Sequence, residues 1–201
     1  MRNYLALTVL SLASALAVAA PPKKIEIVYE GARNDLVLAE VTQRLEHDGQ
    51  TYRLTETTKG RGLFALRGEA DRSSQGTVAG DGLRPVKFED KRSGRDALHV
   101  EFDPASKTPT LQQQDQLSLM WSFAFAPPHA AAAVSVADGK RVTTPAGEFE
   151  ALKFVKRRDN PKDKVTEVWF ALDRQNIPVR ILVVDKDGNR IDTRAVKISV
   201  Q

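Results

Sequence analysis

The sequence contains no cysteine, so neither disulfides nor thiolate metal ligands can hold its fold together. Histidine is nearly as scarce, with three residues in 201, which leaves little of the usual general base for nucleophilic catalysis. Aromatic residues make up 6% of the chain and are not interleaved with a basic stripe, which argues against a nucleic-acid partner. Beyond Ala20 no apolar run approaches the ~17–25 residues of a membrane-spanning helix, so the product is expected to be soluble. Charge of one sign is not in large excess either: 30 Lys and Arg face 26 Asp and Glu, dispersed along the chain. Such a balance permits anionic partners without arguing for them.

What the chain does have begins at its N-terminus. Met1, Arg2 and Asn3 carry one positive charge and precede YLALTVLSLASALAVAA, an uncharged run ending in small residues. Ala17 and Ala19 satisfy the small-x-small rule of leader cleavage, so residues 1–20 read as a signal peptide, cut after Ala19 or Ala20. An uncleaved anchor is the alternative. With the leader removed, residues 21–201 are expected to form a single β-rich domain in the periplasm, large enough to bury a core without covalent staples.

From Pro21 onward, short alternating segments are separated by turn signals roughly every ten residues, the pattern of an all-β sandwich or barrel. Ile25, Ile27 and Tyr29 share one face, as do Val37, Ala39, Val41 and Leu45. Tyr52 and Leu54 resume the alternation after HDGQ. Val86 and Phe88, then Leu98, Val100 and Phe102, alternate with polar residues in the same way. Gly60, Gly62 and Gly68 flank LFAL, where strands are expected to bend or bulge. Pro104 to Thr110 reads as a loop. Asp115 is placed to cap a helix through Phe125, with Leu117, Met120, Trp121 and Ala124 at helical spacing and Pro127 and Pro128 ending it. Strands are expected again at Val134–Val142, Phe149–Lys156, Val165–Leu172, Val179–Asp185 and Arg190–Val200, joined by TPAG, DNPKDK, DRQNIP and DKDG; a change of apolar phase between Ile191 and Val196 suggests a bulge. The fold class is therefore mainly β: an antiparallel curved sheet or half-barrel of about 9–11 strands with one helix packed on it.

Candidates for chemistry are few. His47 falls in an expected turn, His99 on the polar side of a strand and His129 after two prolines; no GxSxG elbow, HExxH helix or phosphate-binding loop is present. DKDGNRID has its glycine at the wrong position and lacks the closing glutamate of a calcium loop, so no metal is expected there. Glu148 and Glu150 would share a strand face, as a general acid and base could, but solvent exposure explains them more simply. Trp121, Phe123 and Phe125 on the helix, with Trp169 and Phe170 on a strand, could line a cavity for an apolar ligand; filling the core beneath the helix is the competing account.

Several stretches, taken in order, resemble a family of bacterial envelope proteins catalogued as domain of unknown function 3108. They are IVYEG, YRLTETTKGRGLFALRGEADRSSQG, GLRPVKFEDKRSG, QDQLSLMW, TPAGEFEALKF and TEVWFALDRQNIPVRI, which together span nearly all of the chain after the leader. The resemblance implies an exported curved sheet or barrel similar to lipoprotein carriers, and it brings no catalytic residues. Thr144, Pro145 and Gly147 are expected to set a tight turn and Trp169 to anchor the core. The function expected is non-enzymatic and without cofactor: binding or carrying a hydrophobic or amphipathic envelope molecule such as a lipid. A protein-interaction module in envelope assembly is the first alternative, and an enzyme acting on cell wall or glycan the second.

Overall fold

The computed structural model describes residues 21–80, 82–103, 115–125, 134–156, 160 and 164–201; the leader, the Pro104–Thr110 loop and His129 fall outside them. Chain order begins with β1 (Lys24–Arg33), β2 (Leu36–His47), β3 (Thr51–Gly60), β4 (Glu69–Ala79), β5 (Gly82–Arg92) and β6 (Leu98–Glu101). The helix α1 (Gln116–Phe125) follows. The chain then returns to strands as β7 (Val134–Thr144), β8 (Gly147–Lys156), β9 (Val165–Ala171), β10 (Ile177–Val184) and β11 (Arg190–Val200).

All eleven strands join one antiparallel sheet in the order β6-β5-β4-β3-β2-β1-β11-β10-β9-β8-β7. Two meanders are thus sewn together by the pairing of β1 with β11. β6 and β7 are the edges and do not pair with each other, so the sheet is curved and unclosed. Curvature has an identifiable source in extra residues that bend one strand against its neighbour. Leu38 bulges from β2 against β1, Val86 from β5 against β4, Val179 from β10 against β9, and Val196 from β11 against β1.

The bulge at Val196 lies where the apolar phase was expected to change. The one at Val86 corrects the reading of β5. There Leu83 and Pro85 face inward, Val86 is squeezed out to solvent, and the alternation restarts at Phe88. Leu98 is likewise exposed, on the short edge strand β6. LFAL is not the strand bend that its glycines suggested. It forms a 3-10 turn, Gly62–Arg67, whose Leu63 and Leu66 stand in solvent. His47 ends β2 instead of sitting in the turn, which Asp48 builds by accepting the N–H groups of Gln50 and Thr51.

The core lies on the concave face, where Ile25, Ile27, Tyr29, Leu45, Leu54 and Leu83 meet α1. The helix forms as its spacing predicts. Asp115 accepts the Ser118 N–H at 2.8 Å as N-cap, and Leu117, Trp121 and Ala124 are turned onto the sheet. Ser122 docks the helix against β5: its Oγ accepts the Leu83 N–H at 2.9 Å and donates to the Ser118 carbonyl at 2.7 Å. Gly82 makes this approach possible, since a Cβ there would lie 2.7 Å from the Ser122 Cβ. β10 pairs with β11 only from Arg180 onward. Beyond it the turn at Thr144–Gly147 occupies the gap, the Ala146 N–H donating to the Ala195 carbonyl.

Candidate functional site

Because alternate residues of paired strands share a face, the pairings assign residues to the concave surface strand by strand. Starting from Tyr29, that face runs through Val41, Gln43 and Leu45 on β2, then Leu54, Glu56 and Thr58 on β3. It continues through Arg72 and Ser74 on β4 to Phe88, Asp90 and Arg92 on β5. In the other direction it includes Ala195 and Thr193 on β11, Ile181 and Val183 on β10, Val168 on β9 and Phe154 on β8.

The helix covers only part of this surface, and a polar seam lies beneath it. The Trp121 Nε1–H donates to Gln43 Oε1 at 3.0 Å, and Gln43 Nε2 donates to Glu56 Oε2 at 2.7 Å. The Tyr29 hydroxyl donates to the Pro178 carbonyl at 2.8 Å. A second chain runs from the Tyr52 hydroxyl to Ser74 Oγ at 2.8 Å, and from Ser74 Oγ to Asp115 Oδ2 at 2.7 Å. All of these side chains are buried, so each donor's partner matters.

Among the described residues, the remainder of the concave face of the curved sheet is a trough with two unlike walls. One wall is apolar: Val168, Ile181 and Val183 are half-buried, and Phe123 of α1 stacks on Phe154 with ring centroids 5.0 Å apart and meets Phe170 edge-on at 5.3 Å. The other wall is ionic. Arg72 Nε lies 3.5 Å from Glu56 Oε1 and 3.8 Å from Asp90 Oδ2, while Arg92 grips Asp90 with two hydrogen bonds of 2.9 and 2.7 Å. The Arg92 guanidinium, supported by Arg72, holds the Asp90 carboxyl below its ordinary range. Between the walls the floor is made of small residues, Gly31, Ala39 and Gly60. The 3-10 turn crosses this end of the face. A Cβ on Gly60 would lie 2.1 Å from the Phe64 carbonyl oxygen, so only glycine admits the crossing.

The five aromatic residues singled out in the sequence are distributed unequally. Phe123 and Phe170 meet at the apolar wall. Trp121 is fully buried on the polar seam, and Phe125 sits at the far end of the helix with its ring edge-on to His47, centroids 4.9 Å apart. Trp169, adjacent to Phe170 and therefore on the opposite face of β9, packs against the margin of the core. Arg180 lies over its ring at 4.7 Å and Lys153 at 5.6 Å. Glu56, Arg72, Asp90, Arg92 and Phe154 were missed. The signal for the first existed: Glu56 continues the inward phase of Tyr52 and Leu54, as Gln43 continues that of Val41, and a polar residue at an inward position asks for a partner.

The remaining chemical candidates have structural surroundings. His47 Nε2 is 3.0 and 3.1 Å from the carbonyls of Pro21 and Pro22, and His99 is exposed beside Glu89. Glu148 and Glu150 are exposed on either side of buried Phe149. In DKDG the Asp185 carboxylate accepts the N–H groups of Asp187 and Asn189, closing a hairpin turn.

No curated protein matches the sequence. Among solved structures the chain is similar to MucB, determined in complex with MucA(peri), at 11% identity and a TM-score of 0.41; the match covers 89% of this chain and 50% of MucB, so the chain spans half of that protein's length. It is similar to the protein CT021 from Chlamydia trachomatis at 11% identity and a TM-score of 0.45, covering 92% of this chain and 90% of the other. A third likeness is to a β-barrel-like protein of domain of unknown function DUF1849 from Brucella abortus, at 10% identity and a TM-score of 0.46, covering 90% and 99%. A family model described as Protein of unknown function (DUF3108) matches residues 26–128, the stretch that supplies the ionic wall, the floor and the helix, and the chain belongs to that family.

Proposed function

We propose that this protein is a non-enzymatic component of the bacterial envelope, exported to the periplasm by residues 1–20, which receives an amphipathic molecule in the part of the concave face that α1 leaves uncovered. The observation that carries this reading is the division of the trough into an apolar wall and an ionic wall across a floor of small residues. An acyl tail laid against Val168, Ile181, Val183 and Phe154 would remove apolar surface from water at roughly 25 cal/mol per Å2. A polar headgroup at the other wall would meet Arg72 and Arg92, whose guanidinium groups donate to carboxylate or phosphate oxygens in a fixed fork geometry.

The test is a titration of the purified protein with a fluorescent fatty acid. Binding is expected, and Ile181→Asp should weaken it by about tenfold or more while the far-ultraviolet circular dichroism is unchanged. A wild-type protein that leaves the probe's emission unaltered would overturn the proposal.

A further inference from the structure

We infer that the trough takes an amphiphile with a single acyl chain, and that Gly31 sets the depth at which that chain lies. This inference rests on the proposed binding of an amphipathic molecule and narrows that molecule to one class.

The strand pairings define the track. Val168, Ile181, Thr193, Gly31, Ala39 and Gly60 stand directly opposite one another on β9, β10, β11, β1, β2 and β3, so they form one unbroken cross-strand row on the concave face. All six are half-buried. Two residues inward along the strands, Phe170, Ala195, Tyr29 and Val41 are buried. One row outward, Val183 is half-buried and Ile191, Arg33 and Leu36 are exposed.

Successive rows on one face lie roughly 7 Å apart. Over β11, β1 and β2 the half-buried surface between the core and the exposed rim is therefore one row wide. That is room for one acyl chain, whose carbons sit about 4 Å from the atoms they touch. A second chain beside it would lie on the rim, in water. The row is stopped at one end by its next member, Phe154 on β8, on which Phe123 of the helix stacks at 5.0 Å. At the other end the Phe64 carbonyl of the 3-10 turn closes over Gly60.

Gly31 is the member of the row whose small size the fold itself does not require. Its φ lies outside the left-handed region, so its backbone is open to any residue. Among the described residues, a Cβ added there would meet only the Ala39 Cβ at 3.7 Å and the Ala39 carbonyl oxygen at 3.8 Å, both ordinary contacts. Glycine inside a strand weakens it, and it often marks a place where a ligand or another backbone comes close. No other described backbone makes that approach, and the space above Gly31 continues the apolar wall of Val168 and Ile181. An acyl chain drawn along the row settles onto the bare Gly31 backbone, whereas a larger side chain there lifts it toward water.

Displacement of the fluorescent fatty acid from the full protein tests this. Palmitoyl lysophosphatidylglycerol should compete about tenfold better than dioctanoyl phosphatidylglycerol, which has the same headgroup and the same number of acyl carbons split between two chains. Gly31→Val is expected to weaken fatty-acid binding by about tenfold while the urea midpoint holds or rises, because a β-branched residue suits a strand. Ala39→Val, on the neighbouring strand, should act in the same direction. Equal competition by the two lipids overturns the single-chain assignment and spares the trough. Undiminished binding by Gly31→Val, or by Ala39→Val should the first variant not fold, does the same. A urea midpoint lowered by Gly31→Ala would mean that packing requires the glycine, which overturns its part in setting depth. A wild-type protein that binds no fatty acid overturns the trough and this inference with it.

Discussion

Gln43 shows how much depends on one inward-facing amide. Its oxygen accepts the Trp121 indole N–H and its nitrogen donates to Glu56, joining helix to sheet in a buried setting. Gln43→Leu keeps the size of the side chain but leaves the indole donor and one Glu56 oxygen without a partner. The expected cost is roughly 1–3 kcal/mol for each buried group so stranded, read as a lower urea midpoint. Gly60→Ala acts through space alone: the new methyl would overlap the Phe64 carbonyl, so the 3-10 turn must lift, and protease cleavage between Gly62 and Arg67 should accelerate. Tyr29 adds a pH dependence. Burial pushes its hydroxyl well above the ordinary phenol range, with Glu56 adding to the effect, and burial pushes Tyr52 upward as well. The neutral phenols are thus favoured in the folded state. Their contribution is complete below about pH 10, where unfolded phenols ionise, and is lost as pH rises through the folded values. Tyr29→Phe should shrink the drop in urea midpoint measured on the alkaline side.

At the scale of elements, β5 carries the opposite dependence. Its Asp90 is held low by Arg92 and Arg72, so the stability it contributes is present above the unfolded carboxylate range near pH 4 and is lost as pH falls through the folded value. Asp90→Asn should flatten the acid limb of a stability profile recorded by circular dichroism. Elements of this kind were legible in the sequence wherever two-residue alternation was unbroken: β1, β3, the five C-terminal strands and α1 lie where spacing and turn residues put them. Val86 was misread because a bulge is a relation between two strands and leaves no mark in one. LFAL was misread because apolar composition suggests burial, while this turn exposes both its leucines. The trough was not legible at all. Its apolar wall comes from β8 to β10 and its ionic wall from β3 to β5, and only the β1–β11 pairing turns them toward a common space. Phe170 and Trp169 illustrate the residual ambiguity, since neighbours in the chain were grouped although strand geometry sends them to opposite faces.

For the molecule as a whole, β11 is the strand on which both halves depend. It lies between β1 and β10 near the middle of the sheet, although it is last in the chain. Removing residues 190–201 should therefore abolish cooperative unfolding instead of trimming an edge, which a thermal melt of the truncated protein would reveal as a broad, featureless transition. Pairing chain ends also raises the mean sequence separation of contacts, so refolding from urea is expected in the slow range of all-β domains, milliseconds to seconds. The same placement bears on how the chain matures in a cell. A polypeptide that emerges N-terminus first, whether from a ribosome or through a membrane pore, holds two half-sheets with raw inner borders until β11 is free. During that interval it is open to chaperones and to mispairing with other nascent copies, so its assembly is timed by the release of β11.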